Sequence, residues 1–449
     1  MVESHRFPLN EDELSEAWKM EGARYASAVN AYRQRAAKLG WDKAGKEPVD
    51  TRSRLAVAVM KVVRRANQEG NRDDLRARFP PAHQPFLSLL EKNGQSLPRV
   101  LLLDDGRIVL RIGSEHVGGK LVLIDDTQVT PLDDDILTVD RSPDRRYFAV
   151  GRIGGIIVHD GWEGPVVSRF SWPTGREGLP EGYSVPVFEG PLVATRLIPF
   201  PEGDRVLLVS PDGVFVLDQR GAKRLLPTRV ELMEDLKDMR ERQVEKPWTP
   251  YQLSMEHGAI SPDGRWIATG HQSSVHFVFD ARTLKVAGEI GSRSEYPHYA
   301  VFSSDGAMLA LNSCHFYSGA TIGVATRRLP GIKTEQFGED RRTPLLQDGA
   351  RVYAAVSREG EFIVGDASGT LIAFDEKGNE RWDYTIGSSM GDIDISPDGK
   401  RLVATTFAGF LSIFDLDTGE NDPCRLGTGK HTERRRWLFW TDEPAPLIW

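Results

Sequence analysis

The chain has little cysteine: two in 449 residues, Cys314 and Cys424. Two thiols cannot build a disulfide framework, and neither has metal-ligand neighbours at useful spacing, which fits a reducing compartment. Long apolar runs are lacking too. The longest, LAVAVM from Leu55 to Met60, is far too short to cross a bilayer and is followed by Lys61. The opening MVESHRFPLNEDEL lacks the basic and apolar regions of a secretory signal. These absences predict a cytoplasmic protein with no membrane partner. No phosphate-cradling loop, His-Glu-x-x-His helix or serine-hydrolase elbow is predicted, and no metal or cofactor is expected.

What is there is an ordinary globular composition, 40% hydrophobic and 27% charged, with a formal charge of -8. The charge is uneven. Residues 1–95 hold 17 Lys and Arg against 13 Asp and Glu, and the remainder 40 against 52. The basic residues of the front segment alternate with acids and form no strip with aromatics. A solvated helix face is expected there, and nucleic acid is not an expected partner.

Residues 1–95 read as a helical module. Asn10 and Glu13 have the spacing of a capping box. Trp18, Tyr25, Tyr32 and Leu39 then recur every seven residues up to Gly40, which predicts one helix about 43 Å long. A second helix is expected from near Asp50 to Gly70, with Leu55, Val59, Val62 and Ala66 on one face. The two are expected to form a hairpin, followed by shorter helices.

From residue 98 the hydrophobic period changes to two and a unit repeats seven times. It consists of a strand, a tight turn often spelled Ser-Pro-Asp-Gly, a second strand, a loop, and a third strand ending in Asp. ISPDGRWIATGHQSSVHFVFD from Ile260 and ISPDGKRLVATTFAGFLSIFD from Ile395 are clear copies. The turn positions are Gly106, Arg145, Gly203, Gly264, Gly306, Gly360 and Gly399. Pro presets φ and Asp-Gly supplies the polar cap and the positive-φ position that such a turn needs. Six third strands end in Ile124-Asp125, His159-Asp160, Leu217-Asp218, Phe279-Asp280, Phe374-Asp375 and Phe414-Asp415.

At these residues the chain resembles the bacterial WD40-like and YVTN-like β-propeller repeats. The Asp-ending strands correspond to the Trp-Asp position with the Trp replaced. The resemblance implies a mainly β fold: a seven-bladed β-propeller over residues 96–428, with an N-terminal α-helical module and a C-terminal aromatic tail at 429–449. Insertions are expected near 228–250 and 327–350. The first is a charged helix with Leu232, Leu236 and Met239 near one face. The resemblance also implies a non-catalytic protein–protein interaction scaffold in a bacterial multi-protein system, with protein partners of unknown identity.

Sorting the histidines onto the repeat places His116, His271 and His315 in loops between second and third strands, and His257 and His298 before first strands. These five, with Tyr317 and Cys314, would share one rim, as would Asp366 and Asp392. The patch is expected to recognise a protein. The alternative is a propeller enzyme, lactone hydrolase-like or quinoprotein-like, with a His-rich site on the rim of blades 4–5. GTLIAFDEKGNERWDYTIGS, with Trp382, resembles one quinoprotein repeat, but outer-strand packing explains a single copy equally.

The end of the chain, RRRWLFWTDEPAPLIW, is aromatic on both faces of any strand it forms. Since the seventh unit reads as complete by residues 424–429, the tail is expected to lie on the body as a clasp or to dock into a partner. Arg436, Trp437, Phe439, Trp440 and Trp449 would carry either role.

Overall fold

The computed structural model describes residues 9–114, 119–183, 190–244, 249–419 and 422–449. Helix α1 (Glu11–Leu39) begins at the expected capping box. Asn10 Oδ1 accepts from the Glu13 amide and Glu13 Oε2 accepts from the Asn10 amide, both at 2.9 Å. Two of the four open N–H groups of the helix end are thereby satisfied. The helix stops at Gly40, whose φ of 85° suits a residue without Cβ. Trp18 is fully buried and its Nε1 donates to the Pro80 carbonyl at 2.8 Å. Gly22 lets the chain around Arg52 approach: a Cβ there would lie 2.6 Å from Arg52 Nη1.

Helix α2 (Ala56–Glu69) is shorter than the sequence suggests, because residues Thr51–Arg54 form a separate 3-10 turn capped by Asp50. Its buried stripe is Val59, Met60, Val63 and Ala66, so Val63 points inward where Val62 was expected. Gly70 closes it in the left-handed region. Short helices α3 (Leu75–Arg78) and α4 (Leu87–Asn93) follow.

Seven sheets follow in chain order, the blades of a seven-bladed β-propeller. Their successive strands run over residues 99–131, 136–170, 196–226, 257–290, 296–325, 352–385 and 390–438, each an antiparallel meander. Middle strands such as Ile108–Ile112, Val206–Ser210 and Trp266–Gly270 are buried throughout, since both faces of a sheet are covered. Successive sheets share cores. Val206, Leu208 and Phe215 of the third pack with Ala149, Ile156 and Val158 of the second. Val278 and Ile290 of the fourth pack with Leu309, Leu311 and Val324 of the fifth.

All seven turn positions named above lie between first and second strands with positive φ, Arg145 included at 68°. The Ser and Asp of the turn have a specific task. In four turns Ser142, Ser261, Ser303 and Ser396 donate their hydroxyls to Asp144, Asp263, Asp305 and Asp398 at 2.5–2.6 Å. The same hydroxyls accept an amide from the start of the second strand, at 2.9 Å in every case. Each turn is thus tied to both strands by side chains it carries itself.

Two segments the sequence marks as outside the blades prove to be strands. Residues Leu345–Asp348 are the fourth strand of the fifth sheet, and Ile332–Lys333 adds a parallel fifth strand to the fourth sheet. Residues Thr432–Leu438 are the fourth strand of the seventh sheet, and Leu447–Ile448 pairs beyond it. The seventh unit therefore does not finish at 424–429; the chain detours through that loop and returns to complete its own sheet. The insertion near 228–250 contains helix α5 (Arg229–Glu241), begun by a Thr228–Glu231 capping box.

Close packing divides the chain into two compact units. One comprises residues 1–100, 365–373 and 381–449, the other 101–364 and 374–380.

Candidate functional site

The rim histidines belong to the second unit, and most are not where the repeat puts them. His257 opens the first strand of the fourth sheet and His298 lies inside the first strand of the fifth. His315 ends the preceding strand's partner, Met308–His315. His271 directly follows the strand Trp266–Gly270, and His116 lies outside the described residues. His257 and His271 are buried, and a fourth ring the repeat did not single out, His276, is buried beside them.

Their hydrogen bonds fix the tautomers. His257 Nδ1 lies 3.0 Å from the Met255 carbonyl, which can only accept, so Nδ1 carries the proton and Nε2 a lone pair. That lone pair accepts from His276 Nδ1 at 3.3 Å. His276 Nε2 is then a bare acceptor with no hydrogen-bond partner among the described residues. His298 Nδ1 donates to the Val352 carbonyl at 2.5 Å. Burial holds all three rings neutral: His257 near 3, His276 well below its usual value, and His298 near 4, the last helped by the charge of Arg351. His271 Nε2 meets Glu231 Oε1 at 3.2 Å. Burial alone would raise the Glu231 pKa, but this contact and the Thr228 amide bring it down. Among the described residues no three His, Cys, Asp or Glu side chains gather where they could hold a metal.

Two neighbouring aromatics stand exposed at one hairpin tip. Strands Met308–His315 and Ser318–Ala325 pair in eight consecutive registers and carry Phe316 and Tyr317 between them, 71% and 82% exposed. Arg351 Nη1 donates to the Phe316 carbonyl at 2.7 Å, and the His315 ring lies edge-on to Phe316 with Nδ1 2.8 Å from Glu295. Cys314 is buried within the strand rather than in the loop, and burial raises its thiol pKa. The expected face of α5 turns inward: Leu232 and Leu236 are buried and Met239 is half-buried. Tyr183 donates to Asp235 at 2.7 Å across that helix.

In the first unit the tail residues Trp437, Phe439, Trp440 and Trp449 are each at most 2% exposed. Trp449 Nε1 donates to the Phe79 carbonyl at 2.6 Å, and its ring meets Phe86 edge-on at 5.4 Å. Asn67 of α2 exchanges two hydrogen bonds with the backbone of Ile448, each 2.8 Å. Asp392 accepts from Arg99 and from the Val100 amide, both at 3.0 Å. Asp366 accepts from the amides of Ser368 and Thr370, and burial raises its pKa. Both acids are occupied with backbone. Trp382 packs edge-on against the His431 ring at 4.2 Å.

The same unit lines a half-open cavity of about 900 Å³ that the sequence did not reveal. One wall is the α1 face carrying Tyr25, Val29, Tyr32 and Arg33. Other walls come from residues 76–84, 384–387, 422–426 and 431–436. Arg33 reaches Thr385 at 2.8 Å and Asp383 at 3.3 Å. Arg52 is paired with Asp50 at 2.7 Å, both buried. Glu433 is shared by Arg76 at 2.9 Å and Arg436 at 2.8 Å. Burial would raise its pKa, yet the two guanidinium charges bring it down to about 2. His83 is lowered to about 4 by burial and by Arg436. Its ring lies so close to Gly387 that a Cβ there would sit 2.2 Å from it. The stretch GSSMG, residues 387–391, does have serine-elbow spacing, overlooked in the sequence. Ser389 instead donates to the Ala367 carbonyl at 2.7 Å and leads into a strand, not a strand-to-helix turn.

No family model matches the chain, and no curated protein does. Among solved structures the chain is similar to the Myceliophteria thermophila Cps50 (Swd1) β-propeller domain. That match has 14% identity and a TM-score of 0.45, over 70% of this chain and 96% of that one. It is similar to Kuenenia stuttgartiensis hydrazine synthase at 12% identity and a TM-score of 0.44, over 72% and 96%. Neither likeness bears on what this chain does.

Proposed function

We propose that this chain is a non-catalytic WD40-like scaffold that holds a protein partner in a multi-protein assembly. The observation that carries the reading is the Phe316–Tyr317 tip. Two large aromatics stand exposed on a hairpin paired over eight registers and pinned by Arg351. Exposed aromatics cost solubility, while a rigid pair loses little entropy on binding, and such residues dominate protein interfaces. The partner would offer an apolar pocket to both rings. The enzyme alternative needs a basic imidazole facing a substrate, and the burial of His257, His271 and His276 favours the scaffold over it.

The test is affinity purification of tagged full-length protein from its native cells, beside a Phe316→Ala/Tyr317→Ala variant. A stoichiometric partner held by the first and lost by the second supports the proposal. A protein that comes away alone, or a partner held equally by both, overturns it.

A further inference from the structure

The first unit's cavity reverses the sign of the molecule. The chain carries -8 overall, yet the wall presents Lys19, Arg33, Arg52, Arg76, Arg425 and Arg436 against Glu47, Asp50, Asp422 and Glu433. Much of this charge is balanced one to one, as in the Arg52–Asp50 pair. At Glu433 one carboxylate serves two guanidiniums, and Arg76 also donates to the Trp449 backbone oxygen at 2.9 Å. Arg436 is buried, and its Nη1 finds no acceptor among the described residues. Neutral His83 adds no charge beside it. A buried guanidinium N–H without an acceptor attracts an anion more strongly than one at an open surface.

Another part of the wall is aromatic. Tyr25 and Tyr32 stand seven residues apart on one face of α1, about two turns, with Val29 between them. Trp41 leans on Tyr32 at 5.8 Å and is 66% exposed at the cavity edge. A volume of about 900 Å³ suits a molecule of cofactor size, larger than a simple ion.

We propose that this cavity binds a small anion bearing an aromatic ring, of the nucleoside monophosphate class, with its charge toward Arg76 and Arg436 and its ring against Tyr32 and Trp41. Phosphate alone would use only the charged wall, and a nucleoside only the aromatic one. This site lies in the first unit and does not rest on the scaffold reading.

Calorimetric titration of the full-length chain at low salt tests it, with AMP, GMP, CMP and UMP beside inorganic phosphate and the parent nucleosides. At least one monophosphate should bind about tenfold or more tighter than phosphate and than its own nucleoside. Its affinity should fall in 0.5 M salt. Trp41→Ala removes an exposed ring and should weaken binding about fivefold or more, as expected for a lost stacking partner, with an unchanged melt. Substituting Arg76 or Arg436 risks the fold, so the salt dependence reads the charged wall instead. Absence of heat from all four monophosphates at millimolar concentration overturns the proposal. So does equal binding of nucleoside and monophosphate, or unchanged affinity in Trp41→Ala.

Discussion

The molecule buries titratable groups in two opposite ways. In the second unit His257, His276 and His298 lie together and stay uncharged, each donating through one nitrogen. In the first unit Arg76, Glu433 and Arg436 lie together and stay charged, held by one another. A neutral ring costs little to bury once its donor is paired, and imidazole can reach neutrality near physiological pH. Guanidinium cannot, so its burial demands a counter-ion. The histidine group is therefore stable by itself. The arginine group depends on a carboxylate that arrives late in the chain, on the strand Thr432–Leu438.

Removing that strand is the largest break. Truncation after Thr428 deletes Glu433 and Arg436, opens the third strand of the seventh sheet, and strips the cover that Trp449 gives Phe79 and Phe86. Each buried aromatic side chain contributes about 1.5–3 kcal/mol, so the four lost together rival a whole domain's margin of about 5–15 kcal/mol. The truncated chain is expected to lose many degrees in Tm or to be insoluble. A full-length melt from the truncated chain would refute the buried tail.

Glu433→Ala comes next and isolates the charged cluster while leaving the strand. Buried Arg436 and partly exposed Arg76 would lose their shared carboxylate, and leaving the buried one unpaired typically costs about 3–5 kcal/mol. Urea unfolding should show a lower midpoint with an unchanged slope. Glu433→Gln, which keeps the shape, should recover little, since the charge is what the site requires. Equal stability of wild type and Glu433→Ala would mean that solvent already screens the pair.

How far such clusters can be read from sequence depends on how local their cause is. The turn at Ser261–Asp263–Gly264 was legible because its bonds close within six residues. So was the Asn10–Glu13 cap. The strand Thr432–Leu438 was legible only in part: RWLFW reads as a strand apolar on both faces, but its pairing with the seventh sheet was hidden because the unit reads as complete by residues 424–429. Its inward positions are filled by Glu433 and Arg436, which satisfy each other only after folding. His276 was missed because HFVFD reads as a plain strand, and its partner His257 is 19 residues away. The cavity drew no signal, since its walls come from segments scattered between residues 19 and 436.

Acid should separate the two clusters. His83, His257, His276 and His298 all have folded pKa values below the usual 6.5. The unfolded chain therefore takes up protons first, and their contribution is intact above pH 6.5. It fades as the pH falls toward about 4 for His83 and His298 and about 3 for His257. Glu433 acts lower, its contribution intact above pH 4.5 and lost on approach to about 2. Denaturation midpoints measured from pH 7.5 to 4.5 should thus decline mainly through histidine, and a flat profile over that range would contradict the neutral assignment.

The smallest expected effect sharpens the contrast most. His276→Leu replaces a ring whose Nε2 has no hydrogen-bond partner among the described residues, and whose Nδ1 bond to His257 is 3.3 Å long. The substitution deletes one unsatisfied buried acceptor but takes the donor from His257 Nε2, which leaves His257 with only its Met255 bond. One orphaned acceptor replaces another, so the lost hydrogen bond is the net cost. At pH 8 stability should fall by about 1 kcal/mol, in contrast to Glu433→Ala. At pH 5 the variant should outlast the wild type, because one group that must stay unprotonated is gone. A variant that lost as much stability at pH 8 as at pH 5 would mean that the ring's shape, not its neutrality, is what the second unit needs at that position.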